Sequence, residues 1–205
     1  MTKAINRREF MQLAGLGGVV FASGLGHLAN AAAPDDFYFV QLSDTHWGYE
    51  GAANPDATMT LKKAVAAVNS LSETPDFIMF TGDLTHTTDD PKERRKRLAE
   101  FRDIVGEMKV KNVRFMPGEH DASLDRGEAY QEFFGKTNYT FDHKGIHFIV
   151  IDNVSDPTGA IGDAQLQWLA ADVKQLPKDA RIVPIGHYSI WRHNGTGRHA
   201  TAPRR

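Results

Sequence analysis

Short apolar runs that end in polar clusters recur along this chain, and between them lie longer stretches whose apolar residues fall at helical spacing. Phe37 to Leu42, Phe77 to Phe80, Val113 to Met116 and Arg181 to Ile185 read as strands, because compact runs rich in Val, Ile and Phe suit a covered, pleated surface. Asn54-Pro55-Asp56 opens a helix that carries Leu61, Ala64, Val65, Val68 and Leu71 on one face. Pro75-Asp76 breaks the chain before the next strand. Asp90, Pro91 and Glu93 predict an N-cap, a first-turn proline and a capping box. The helix they start turns Leu98, Phe101, Ile104, Val105 and Met108 inward, with the charged run Lys92 to Arg97 as its solvated face. A short helix is expected over Glu128 to Phe134. Tyr139 to Phe141 and His147 to Ile151 then form a hairpin around Asp142-His143-Lys144-Gly145, with Gly145 at positive φ. Ala164 to Leu176 is a further amphipathic helix through Leu166, Leu169, Val173 and Leu176. Strands alternating with helices indicate an α/β layered domain.

The polar clusters follow the strands in order: Asp44-Thr45-His46, Gly82-Asp83, Gly118-Glu119-His120-Asp121 and Gly186-His187. Each alone is ordinary turn chemistry. Loops at the carboxyl ends of parallel strands are nevertheless where an α/β sheet gathers carboxylates and imidazoles into one site. As an ordered set these residues resemble the calcineurin-like metallophosphoesterases, and Gly82-Asp83-Leu84 is similar to the branch that contains the class III cyclic-nucleotide phosphodiesterases. The resemblance covers Phe37 to about His187. It implies a two-sheet sandwich flanked by helices, incomplete at the carboxyl end, and a metal-dependent phosphoester hydrolase acting on a small phosphodiester or phosphomonoester through a metal-activated hydroxide. By the same resemblance Asp44, His46 and Asp83 would hold one divalent ion, Asp83 would bridge to a second, and Glu119 and His187 would add to the second. His120 would protonate the leaving oxygen, with Asp121 orienting its imidazole.

Two departures from the family pattern enter the reading. Glu119 stands where the family usually has Asn, and the closing Gly-His-x-His motif is absent. Three carboxylates and two divalent ions sum to +1, which a hydroxide brings to zero; Asn in place of Glu119 would leave the cluster one unit more positive. The alternative is therefore a truncated member that binds metal or ligand without turnover. His193 and His199, six residues apart, are poor substitutes for the missing pair. His86, Asp89 and Asp90 read as loop and capping residues, and His143 and His147 as lying outside the site.

With no cysteine in the chain, any metal is held by oxygen and imidazole nitrogen, a set that suits Mn, Fe or Zn. A length of 205 residues with 41% apolar content supports one domain. The net charge of −2 and the lack of a basic stripe speak against a general nucleic-acid surface. Lys3, Arg7 and Arg8 precede the apolar, glycine-rich stretch Leu13 to Leu25, and Ala29-Asn30-Ala31 offers a cleavage site. Asn6 to Met11 resembles a twin-arginine signal, so residues 1–31 are expected to engage the twin-arginine export machinery and direct the chain to a bacterial periplasm. Removing them would take the charge from −2 to −4, since three basic residues and Glu9 leave. The apolar stretch is too short for a stable membrane span. The domain proper is expected over residues 34–187. Residues 188–205 read as an unpatterned basic tail, a truncated end that leaves edges of the second sheet exposed.

Overall fold

A computed structural model describes residues 36–189, together with the backbone of short strands at 20–24, 193–194 and 198–199. The chain runs β1 (Val20–Gly24), β2 (Tyr38–Leu42), α1 (Ala57–Asn69), β3 (Phe77–Thr81), α2 (Pro91–Gly106), β4 (Val113–Met116), α3 (Glu119–Ala122) and α4 (Glu128–Phe134). It continues through β5 (Tyr139–His143), β6 (Ile146–Val150), α5 (Asp163–Lys174), β7 (Arg181–Ile185), β8 (His193–Asn194) and β9 (Arg198–His199). One sheet has the order β1-β2-β3-β4, with β2, β3 and β4 parallel and β1 antiparallel to β2. A second has the order β5-β6-β7, where β5 and β6 form a hairpin and β7 returns parallel to β6 through α5. This is the α/β layering that the pattern predicted, in the two-sheet form flanked by helices that the resemblance implied. β1 falls within the stretch read as an export leader, most of which lies outside the described residues.

Strand periodicity explains the layering, since alternate residues point to opposite faces. On β2 and β3, Tyr38, Val40, Leu42, Ile78 and Phe80 meet Leu61, Val65 and Val68 of α1, Phe101 and Val105 of α2 and Tyr130 of α4. Phe39, Phe77 and Met79 face the other way and pack against Ile146, Phe148 and Val150 of the second sheet. The Phe39 and Phe77 rings stack at 4.6 Å, and Phe148 meets both edge-on. With both faces covered, all five residues of β3 are buried, hence its unbroken apolar run.

Five expectations change in detail. Asp90 caps α2 by accepting from the Lys92 and Glu93 N–H groups, but its own N–H donates to Thr88 Oγ1 at 3.3 Å and Glu93 pairs with Arg97 instead, so no capping box closes. Arg94, read as solvated, is 8% exposed: its guanidinium donates to Asp125 at 2.8 Å and to the Thr88 carbonyl. The hairpin loop is only Lys144-Gly145, both at positive φ (45° and 72°), because a two-residue turn of that hand matches the twist of its strands. α5 buries none of its residues, and Leu166 and Val173 are 48% and 39% exposed, so its amphipathic face is only partly used. In the tail, β8 and β9 pair antiparallel where no element was expected. Among the described residues no helix is long and apolar enough to cross a membrane.

Candidate metal centre

The loops after β2 and β3 are stitched together beyond the strand ends. The Asp44 N–H donates to the Gly82 carbonyl at 3.0 Å, His46 N–H to Asp83 at 2.9 Å and Trp47 N–H to Leu84 at 3.0 Å. Within this seam Asp44, His46 and Asp83 all take positive φ (57°, 43° and 49°). A left-handed backbone costs a non-glycine residue roughly 1–2 kcal/mol, so three in one seam mark a strained, functional turn held by its surroundings. Two glycines make the approach possible. A Cβ on Gly118 would lie 2.2 Å from the Asp83 backbone nitrogen, and one on Gly82 2.4 Å from His187 Nδ1.

Asp83 sits at the centre, its side chain 3% exposed, with Oδ2 3.6 Å from His46 Nε2, 3.6 Å from His187 Nε2 and 4.0 Å from His120 Nε2. Its Oδ1 accepts the His120 N–H at 3.0 Å. Asp44 Oδ1 lies 3.9 Å from His46 Nε2, and Glu119 Oε2 2.8 Å from His187 Nε2. Asp44, His46 and Asp83 form one group able to converge on an ion; Asp83, Glu119 and His120 form another. The structure thus brings together Asp44, His46, Asp83, Glu119, His120 and His187 from four loops.

The donor set fits divalent metal. Glu119 Oε2 is buried without a hydrogen-bond partner, lying close to His187 without the geometry of a bond. His187 is oriented as a ligand would be: Nδ1 bonds the Thr81 carbonyl at 2.7 Å, which places a proton there and turns Nε2 toward Asp83 and Glu119. Burial works against a charged His187, but Asp83, the Thr81 carbonyl and Glu119 outweigh it and push its pKa up to about 9. Burial would raise the Asp83 pKa, yet His187, the His120 N–H and the neighbouring imidazoles hold it below the usual value.

One assigned role is corrected. Asp121 does not orient the His120 ring. It is 1% exposed and accepts from the Leu84 N–H (2.9 Å), the Thr85 N–H (2.9 Å), the Thr85 hydroxyl (3.1 Å) and the Gly118 N–H (3.0 Å), tying the loop after β3 to α3. Burial pushes its pKa up to about 6 against the pull of those donors. The His120 ring is held instead by Thr87, whose N–H (3.3 Å) and hydroxyl (2.6 Å) both approach Nδ1.

Thr87 and Asn153 have no part in the sequence reading, and His86 enters it only as a loop residue. Thr87 carries no signal in an ordinary polar loop. Asn153 holds the His187 turn, its Oδ1 accepting from the His187 and Tyr188 N–H groups and its amide donating to the Tyr188 carbonyl. It follows the apolar run of β6, the pattern that flagged the other clusters. His86 stacks on His120 at 4.8 Å, and burial, with nearby His120, His46 and Arg97, lowers its pKa. Asp89 and Asp90 remain in the loop before α2, Asp90 as its cap. His143 pairs with Asp76, and His147 with Asp142 and Asp172, both apart from the centre.

Comparison with known proteins agrees with this geometry. A protein from Rhodococcus erythropolis named probable cyclic nucleotide phosphodiesterase is 27% identical over 161 residues, covering 73% of this chain and 52% of that protein. One from Arcobacter nitrofigilis named probable glycerophosphodiester phosphodiesterase is 28% identical over 160 residues, covering 72% of this chain and 56% of that protein. The chain therefore spans about half the length of these relatives. Residues 37–203 match the family described as calcineurin-like phosphoesterase, a stretch holding both sheets' paired strands from β2 onward and every residue of the centre, and the chain belongs to that family.

Proposed function

We propose that this chain is a metal-dependent hydrolase of small phosphodiesters, with Asp44, His46, Asp83, Glu119 and His187 holding two divalent ions. The observation that supports it is the convergence of two further carboxylates and two imidazoles on nearly buried Asp83 at the carboxyl ends of the strands. Mn, Fe and Zn suit this oxygen and nitrogen set. Such ions, when bound, supply a strong nucleophile at neutral pH and neutralise charge on the transferring phosphoryl group.

The chain's own residues do the rest. Because Thr87 presents two donors to His120 Nδ1, that nitrogen accepts and the ring proton resides on Nε2, which faces Asp83 at 4.0 Å. His120 is thereby set to give a proton to the leaving oxygen. Asp121 keeps α3, and with it Glu119 and His120, at a fixed distance from the Asp83 loop. Asn153 and the Thr81 carbonyl do the same for His187. The names of both relatives point to phosphodiesters, which supports that class over monoesters.

Metal per chain by elemental analysis, with hydrolysis of an aryl phosphodiester and monoester in added Mn, tests the reading. Hydrolysis that Asp83→Asn lowers by on the order of a hundredfold or more is expected, with the diester preferred. Metal without hydrolysis would instead mark a binding member that does not turn over. We further propose that residues 1–31 export the chain by the twin-arginine route, supported by the Arg7-Arg8 pair ahead of the apolar stretch. Changing both arginines to Lys is expected to retain the precursor in the cytoplasm.

A further inference from the structure

Beside the carboxylate-centred site stand three imidazoles with no carboxylate among them. His46, His86 and His120 each offer a ring nitrogen within 4.8 Å of the others. Their ring centroids are 4.7 Å (His46 to His120), 4.8 Å (His86 to His120) and 5.6 Å (His46 to His86) apart. Phosphoester hydrolysis as proposed uses His46 and His120 and leaves His86 without a task. The position of His86 is nevertheless closely specified. Its N–H donates to the Trp47 carbonyl at 2.9 Å, its carbonyl accepts from Arg97 at 3.0 Å, and the Tyr49 ring lies 4.9 Å away against its edge. Two of the six ring nitrogens of these residues, His46 Nδ1 and His86 Nδ1, are buried and without a hydrogen-bond partner. A buried polar atom in this state is costly unless something not made of protein satisfies it.

We propose that His46, His86 and His120 form an inhibitory site for a divalent ion that prefers imidazole, such as Zn, Ni or Cu, overlapping the phosphoester centre. Three neutral nitrogen ligands select these ions over Mn or Mg, which favour oxygen. Zn–nitrogen bonds of about 2.0–2.1 Å require the rings to close by on the order of an ångström, within reach of side-chain rotation since neither unpartnered nitrogen must break a hydrogen bond. Occupation withdraws His46 from Asp44 and Asp83 and engages the His120 nitrogen that would donate the proton. The inhibitory consequence rests on the hydrolase reading; the ion site itself does not.

The test separates the two. In an Asp83→Asn chain the carboxylate centre is impaired, while Asn can still accept the His120 N–H. Co titrated into this full-length variant, followed by its visible absorption and displaced by Zn, is expected to show about one bound ion. Adding His86→Phe or, as a check on folding, His86→Gln should weaken that ion at least tenfold with unchanged circular dichroism. Unchanged Co affinity in both double variants, or no Co bound by Asp83→Asn alone, would overturn the site. Independently, wild-type hydrolysis in Mn should fall on adding Zn, and this fall should need at least tenfold more Zn in His86→Gln, each variant being scaled to its own Mn rate. Equal inhibition in both would overturn the regulatory role while leaving the hydrolase intact. A chain inactive in Mn whose Co site still depends on His86 would overturn the hydrolase and keep the ion site.

Discussion

The two sheets are packed to different standards. Around the first, α1, α2 and α4 cover one face and the second sheet covers the other, so β3 is wholly buried and Leu61, Phe77, Ile78, Phe80, Leu98 and Phe101 are fully enclosed. In the second, β6 is buried, but the edge strand β7 alternates between exposed and half-buried, with Ile182 37% exposed, and α5 encloses nothing completely. Asp44, His46, Asp83, Glu119 and His120 all come from the well-packed half; His187 alone comes from the other. The candidate centre thus joins one closely packed array to a single imidazole from a looser element, which is tied in place by Asn153 and the Thr81 carbonyl.

The sharpest way to break this contrast is to cut one large apolar side chain from each half. Phe77→Ala removes a ring clasped by both sheets and is expected to cost about 3–5 kcal/mol in chemical denaturation, whereas Leu166→Ala on α5 should cost less than about 0.5 kcal/mol. Comparable losses would show that the second half is as cooperative as the first. A smaller effect should follow from Gly118→Ala. Its Cβ would press on the Asp83 backbone, with a cost of about 1–3 kcal/mol and a metal content that drops further than the stability loss explains.

Finest of the three is a pH test of the tie between β6 and α5. His147 is buried between Asp142 (2.7 Å) and Asp172 (2.9 Å). Burial lowers its pKa, but the two carboxylates more than compensate and raise it above the ordinary 6.5. A pKa raised on folding contributes stability that is fully present below about pH 6.5 and disappears as pH rises through the folded value. His147→Gln should therefore lose about 1–2 kcal/mol near pH 6 and progressively less toward pH 9, by thermal melting. A difference that does not depend on pH would remove the charge from this tie.

Much of the fold was legible because its elements obey local rules. β4, α4 and β7 occupy Val113–Met116, Glu128–Phe134 and Arg181–Ile185 as expected, since turn residues and apolar runs bound them tightly. Where local rules pointed the wrong way, long-range contacts won. Arg94 looked like one more residue in a solvated charged run until Asp125, distant in sequence, met it. Asp121, next in sequence to His120, seemed its natural partner, yet the helical turn of α3 points successive side chains apart and sends Asp121 to Leu84 and Thr85.

The chain's sequence by itself determined the order of strands and helices, the residue types able to hold metal and the strand ends that present them, because periodicity and turn chemistry act within a few residues. Only the tertiary structure decided that Thr87 rather than Asp121 holds the His120 ring, that Asn153 secures His187, and that His86 joins His46 and His120. Each of these depends on which loops the parallel ladder sets side by side, and that proximity is a property of the folded sheet with no local trace in the sequence.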